Sequence, residues 1–273
     1  MVEPGPSPRE SAPREPLLAL TIDVERDWAV AGSEAIRQTL PRLLDLLERH
    51  RAQATFFVVA ELLGECSDLL RSAAEVHEIA SHGLSHRLLD RLSEADVKHE
   101  LLESRKRLAG ELGAEVIGFR APFLRVPPAW FKLLAETQYK YDSSLGSLYP
   151  SVRNMSPRKW APFIREGIVE IPTSALRPGL VPFSLTYLRL GSPVAERFAP
   201  RGGCVFYLHL HELAARSLTG RLRAPLKWVL PHNVGEPAWR ILTRLVERWS
   251  GRIVTCRRFL QESHLLSQGD SIG

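Results

Sequence analysis

The chain has little cysteine: Cys66, Cys204 and Cys256 are the only three among 273 residues, and no two of them form a C-x-x-C pair. An odd, scattered set excludes a disulfide framework and a thiolate zinc site, and it suits a reducing compartment. Long apolar runs are missing too, and none approaches the roughly 18 continuous residues of a membrane span. Charge of one sign is in only small excess. The net charge is +5 and the pI about 9.3, and the positive residues, nearly all arginine, are spread along the sequence, so no nucleic-acid partner is expected. The opening "MVEPGPSPRESAPREP" is rich in proline, serine and charge, and no secretory h-region follows it. Residues 1–16 are therefore expected to form a disordered tail, and the protein to be cytoplasmic.

What is present has the composition of a folded protein, with 44% hydrophobic and 25% charged residues. A single domain over residues 17–265 is expected, with a flexible tail at 266–273. Strand-like and helix-like segments alternate. "LLALTID" reads as a strand, and "SEAIRQTLPRLLDLLERH" as a helix with Ser33 as N-cap. "ATFFVVA", "HEIAS", "AEVIGFR", "YKYDSS", "GIVEIPTS", "GGCVFYLHLH" and the start of "RIVTCRRFLQ" read as further strands. The clearest helix is "LSEADVKHELLESRKRLAGELG", with Ser93 to cap it and Gly113 to end it. Strands separated by helices imply right-handed βαβ units. The predicted class is α/β, a distorted (β/α) barrel of about seven parallel strands with surrounding helices, and an open doubly wound sheet is the second choice.

Residue types that bind metals or move protons recur where these predicted strands end. Asp23 and Glu25 follow the first, His82 and His86 the third and Arg120 the fourth, while His209 and His211 lie on a late one. In parallel α/β folds that end of the sheet carries the site. In "TIDVERDW", strand alternation puts Asp23 and Glu25 on one face, and two carboxylates so close require a cation or a proton between them. Taken alone, the pair reads equally well as an exposed acidic turn beside Arg26. In "SHGLSH", one helical turn brings His82 and His86 to the same side, near enough to share a metal ion, and Gly83 permits a tight backbone. An H-x-x-x-H alone is more often two solvated or core-capping histidines. The carboxylates at another strand end strengthen the case, because two histidines and one carboxylate leave the open coordination positions of a catalytic metal site. His50, His77 and His99 lie within predicted strands or helices and read as structural.

In this order, "LTIDVE", "ATFFVVAELL", "HEIASHGLSH", "GFRAPF" and "YLHLHE" resemble the motifs of the polysaccharide deacetylases, the family sharing the NodB homology domain and grouped as carbohydrate esterase family 4. The resemblance implies a distorted (β/α) barrel. It also implies a hydrolase of carbohydrate metabolism that cleaves the amide of an N-acylated amino sugar with a divalent metal, first Zn2+, with Co2+, Ni2+ or Fe2+ as alternatives. Carried over by resemblance, Asp23 is the catalytic base, His82 and His86 bind the metal, Arg120 orients the base, and His209 is the general acid. The commonest first motif has adjacent aspartates. Val24 takes the second place here, which implies the Asp-x-Glu branch, with Glu25 as the metal carboxylate and Asp27 as a fallback ligand. His211, two residues on and on the same side of a strand, is the alternative acid, and Glu212 is placed to support either imidazole. In this chemistry the metal polarises the amide and lowers the pKa of a bound water from 15.7 towards about 7, Asp23 takes a proton from that water, and His209 protonates the leaving amine.

Given the expected cytoplasmic location, the implied substrate is a nucleotide-linked or lipid-linked amino sugar carrying an acetyl or formyl group. "RPGLVPFSLTYLRL" and "RLRAPLKWVLP" combine apolar residues with arginines, a composition suited to peripheral contact with anionic lipid at the inner face of a membrane. A core helix and a loop with snorkelling arginines account for the same composition. Three rival functions stay open. One is the iron-oxygenase chemistry that uses the same ligand set, another is hydrolysis of a non-sugar amide, and the last is non-catalytic carbohydrate binding on the same scaffold.

Overall fold

Alternation along the first strand lays out the architecture. In β1 (Leu18–Val24) every residue is buried, yet successive residues enter different cores. Leu18, Leu20, Ile22 and Val24 join the large apolar core between sheet and helices. Ala19 points the other way, into a smaller cluster with Phe57, Ala80, Ile117, Val205 and Val254, contributed by neighbouring strands. Thr21 and Asp23 share the parity of Ala19 and therefore lie inside the curl of the sheet, above that cluster.

The computed structural model describes residues 15–26, 33–146, 161–179, 181–191, 193–214 and 231–266. The strands are β1, β2 (Thr55–Val58), β3 (Glu78–Ser81), β4 (Gly118–Phe119), β5 (Tyr141–Asp142), β6 (Phe163–Arg165), β7 (Ile168–Glu170), β8 (Ala175–Leu176), β9 (Val181–Pro182), β10 (Cys204–His209) and β11 (Ile253–Val254). Among the described residues they form a nine-stranded sheet in the order β10-β1-β2-β3-β4-β5-β7-β6, with β11 beside β1, and a two-stranded β8–β9 hairpin. All pairings in the large sheet are parallel except β6 with β7. The sheet is curled and mostly parallel, as a distorted barrel requires. Eight of the described strands run parallel, against a predicted count of about seven, and β6 adds an antiparallel edge strand that no apolar run announces. The β6–β7 turn is Glu166-Gly167, both at positive φ, the backbone of a two-residue hairpin. Near the opening of the curl, the Ser174 N–H donates to the Val205 carbonyl at 3.3 Å and the Val205 N–H to Ser174 Oγ at 2.9 Å, so the chain beyond β7 rests on β10.

The helices are α1 (Glu34–Arg49), α2 (Leu63–Ala74), α3 (Glu94–Leu112), α4 (Trp130–Glu136), α5 (Leu185–Gly191), α6 (Glu236–Arg248) and α7 (Cys256–Glu262). In α3, Ser93 Oγ accepts the Asp96 N–H and Gly113 ends the helix at φ 65°, as expected for these residue types. Ser33 stands at the N-cap position of α1 but makes no side-chain cap bond, with φ and ψ at −104° and 14°. Among the described residues, no helix is long and apolar enough to cross a membrane.

The floor of the curl is closed by the last elements. Phe259 and Leu260 of α7 belong to the inner cluster. The Cys256 N–H donates to Thr55 Oγ1 at 2.8 Å, and the Arg257 N–H to Glu78 Oε2 at 3.0 Å. Tyr141 crosses the interior to donate its hydroxyl to Glu78 Oε1 at 2.9 Å. Gly118 makes that crossing possible, since a Cβ there would lie 2.0 Å from the Tyr141 ring.

Candidate metal centre and active site

Glu25 follows β1 directly, and His82 and His86 lie in the loop after β3. Each contributes one donor atom to a set whose members all fall within 4.8 Å of one another. Glu25 Oε2 is 2.6 Å from His86 Nε2 and 3.4 Å from His82 Nε2. The three come together as the sequence predicts, although by another route. The loop is no helical turn; it runs through Gly83 at φ 84° and His86 at φ 59°. Glu100 imposes that shape from α3. Its Oε2 accepts the N–H groups of Leu84 and Ser85 at 2.9 and 3.0 Å, and its Oε1 accepts the Ser85 hydroxyl.

His82 is oriented from behind. Its Nδ1–H donates to the Arg120 carbonyl at 2.7 Å, which leaves the Nε2 lone pair on the Glu25 side. The buried Nε2 of His86 makes no hydrogen bond. Burial pushes the Glu25 carboxyl up, but the charge of His209 and the contacts with His82 and His86 outweigh it and hold the group well below the usual carboxylate range. Two imidazole nitrogens and an anionic oxygen facing one point form the donor set of an open divalent-metal site, and these residues fit such an ion. Asp27, the fallback ligand, lies outside the described residues.

The second feature is a buried Asp23–Arg120 pair. Arg120 Nη1 donates to Asp23 Oδ1 at 2.7 Å and to Thr21 Oγ1 at 2.9 Å, while Nε and Nη2 are taken by the carbonyl and hydroxyl of Ser143. The guanidinium lies over the Phe57 ring at 4.2 Å. With all three guanidinium nitrogens engaged, Asp23 has one oxygen pinned and the other, Oδ2, aimed across the site.

Asp23 Oδ2 faces His209, whose Nε2 is 3.8 Å away and also 4.0 Å from Glu25 Oε1. Register explains the meeting, because Asp23 and His209 are paired positions of β1 and β10. The opposite ring nitrogen, Nδ1, is 3.3 Å from Glu212 Oε2. Burial works against protonation of His209, but the Glu212 hydrogen bond and the charges of Glu25, Glu212 and Asp23 prevail and raise it to about 9. Glu212 is held far below its ordinary value by His209, Arg189 and His211, against its burial.

β10 ends at His209, so the strand alternation invoked for His211 stops short of it. His211 sits in a 3₁₀ turn, Leu210–Leu213, and stacks on His209 at 5.1 Å with 21° between the planes. His77 has a structural place, its Nδ1 accepting the Ala54 N–H at 3.4 Å. Phe123, in "FRAPF", packs on His86 at 4.7 Å with its own φ at 57°.

Two contributors carry no sequence motif. Glu100 has a weak signal, a carboxylate on the α3 face that also buries Val97, Leu101, Ser104 and Leu108. Arg189 has none, since in "SLTYLRL" it reads as a surface charge. Of the arginines of "RPGLVPFSLTYLRL", Arg189 is buried on Glu212, whereas Arg177 is exposed and donates to the carbonyls of Arg197 and Ala199. Most of "RLRAPLKWVLP" lies outside the described residues.

Comparison with known proteins gives the family and the fold. A family model described as polysaccharide deacetylase matches residues 10–141. A chitooligosaccharide deacetylase of Bradyrhizobium sp. (strain ANU 289) is 32% identical over 143 residues, 52% of this chain and 61% of that protein. Its counterpart from Sinorhizobium fredii is 30% identical over 158 residues, 57% of this chain and 67% of that protein. The chain thus spans about six-tenths to two-thirds of the length of these relatives. A solved structure of a putative polysaccharide deacetylase from Mycobacterium smegmatis has the same fold, with a TM-score of 0.62 and 21% identity, covering 96% of this chain and 95% of that one. A carbohydrate esterase family 4 pseudoenzyme from Bacillus anthracis superposes with a TM-score of 0.55 at 16% identity, over 92% of this chain and 67% of that one. The chain belongs to the polysaccharide deacetylase family.

Proposed function

We propose that the protein is a metal-dependent hydrolase that removes the N-acetyl group from an N-acetylglucosamine-type sugar. The convergence of Glu25, His82 and His86 beside the Asp23–Arg120 pair carries this reading. The relatives named chitooligosaccharide deacetylase support the substrate class.

A divalent cation held by Glu25, His82 and His86 would supply Lewis-acid polarisation of the amide carbonyl and a water of lowered pKa. The chain's own groups do the rest. Asp23 accepts a proton at Oδ2, the oxygen that Arg120 leaves unbound. Arg120 keeps that carboxylate turned towards the attacking side. His209, protonated and presenting Nε2, delivers a proton to the departing amine. Glu212 fixes which nitrogen of His209 is presented.

The test couples metal analysis of purified protein to an acetate and formate release screen over free, nucleotide-linked and lipid-linked N-acylated amino sugars. Acetate release that chelation abolishes and Zn2+ or Co2+ restores is expected, with Asp23→Asn folded but inactive. Absence of bound metal together with no acyl release from any of these sugars would refute the reading.

A further inference from the structure

Among the described residues, Arg120 and Arg189 are the largest fully buried side chains. Burying a guanidinium costs several kcal/mol unless it is paired and hydrogen-bonded, so each requires a reason. Arg120 has one in Asp23. Arg189, on α5, donates from Nε to Glu212 Oε1 at 2.9 Å and from Nη1 to the His232 carbonyl. The same Glu212 oxygen accepts the hydroxyl of Thr186, also on α5, at 2.7 Å. The other oxygen, Oε2, accepts the His209 backbone N–H at 3.1 Å and faces His209 Nδ1 at 3.3 Å. One carboxylate is thus divided between a helix and an imidazole.

We propose that Arg189, with Thr186, is a positioning residue that orients His209 through Glu212. The proposal rests on the reading of His209 as the proton donor. With Nδ1 tied to Glu212, the ring points Nε2 at Asp23 and Glu25, 3.8 and 4.0 Å away. Remove Arg189, and Oε1 keeps only the Thr186 hydroxyl, so the carboxylate is free to turn and the ring to swing with it. The anchor is itself anchored. Asn233 Nδ2 donates to the Arg189 carbonyl at 2.8 Å, and the Gly235 N–H to the Glu212 carbonyl at 3.0 Å. Lysine would replace the charge but not the fork that serves Glu212 and His232 together.

The experiment compares wild type, Arg189→Met, Arg189→Lys, Glu212→Gln and the Arg189→Met/Glu212→Gln double variant, all metal-loaded, with thermal unfolding as the check on folding. Arg189→Met should lower kcat about 10- to 100-fold, the range for residues that orient a functional side chain, and leave KM within about twofold. Arg189→Lys should recover part of the loss, and the double variant should be no worse than Glu212→Gln. A second readout needs no turnover: the low-field Nδ1–H proton resonance of His209, identified by its loss in His209→Gln, should shift or broaden in Arg189→Met. A folded Arg189→Met with unchanged kcat and an unmoved resonance overturns the proposal, as does a double variant whose losses simply add. If Arg189→Met does not fold, the double variant, which removes both buried charges together, takes its place, and a wild-type resonance there overturns the proposal. If the wild type releases no acyl group, the functional reading fails, and the resonance alone decides the role of Arg189.

Discussion

Glu100→Ala should loosen the His82–His86 loop without touching Glu25, His82 or His86. Glu100 is 3% exposed and accepts two backbone N–H groups and the Ser85 hydroxyl. The Leu84 N–H is fully buried, so orphaning it costs about 1–3 kcal/mol; the half-buried Ser85 N–H finds some water and costs about half as much. The sum is a destabilisation of about 2–4 kcal/mol, which for a chain of this size lowers the unfolding midpoint by about 4–16 °C. The loop also holds His86 at φ 59°, a backbone conformation of low intrinsic population that needs support from its surroundings. Losing that support should weaken Zn2+ binding about 10- to 100-fold. Thermal unfolding of the metal-free protein gives the first quantity, and competition with a chelating dye gives the second. A Glu100→Ala protein with both values within error of wild type would refute the view that α3 shapes the metal loop.

Further expectations follow from other parts of the molecule. Gly118→Ala would put a Cβ 2.0 Å from the Tyr141 ring, so it should destabilise the fold by about 3 kcal/mol or more, and a soluble, normally melting variant would contradict the described floor. Glu25→Ala should abolish tight Zn2+ binding in a protein that remains folded, read by metal analysis after dialysis. Burial pushes His77 down to about 4 from 6.5. Above pH 6.5 the ring is neutral folded or unfolded and costs nothing; between 6.5 and 4 the unfolded chain binds a proton that the folded one refuses, so stability falls with pH. The loss should reach about 2 kcal/mol after allowance for partial exposure, and His77→Gln should flatten that part of the denaturation-versus-pH curve.

Much of the site is legible because β1 keeps strict parity. A seven-residue strand with alternating destinations places Asp23 inward whatever the rest of the chain does, and Glu25 two residues on continues that parity into the site. His209 is singled out by the family resemblance, since parity alone does not separate it from His211, and its pairing with Asp23 emerges only from the folded register. The two-residue strands β4, β5 and β11 carry too little pattern to show a period, so their boundaries emerge only from pairing. The helical-turn argument for His82 and His86 reaches the right residues through the wrong backbone, since the loop shape comes from Glu100 on a helix that sequence spacing does not connect to it. Arg189 is hidden for a deeper reason. A buried cation in a short helix differs from a surface one only in its partner, and Glu212 becomes that partner only when the chain has folded.

β1 draws its partners from both halves of the chain, with β2 on one flank and β10 and β11, more than 180 residues later, completing the set. Strand pairing of such separation is slow to nucleate and leaves an unpaired edge while synthesis proceeds. A ribosome-bound fragment stopping before Cys204 would hold Glu25, His82 and His86 but neither His209 nor the plug beneath them. Competence for the proposed chemistry therefore arrives only once β10 and the elements after it are made, and such a fragment should aggregate before it acts.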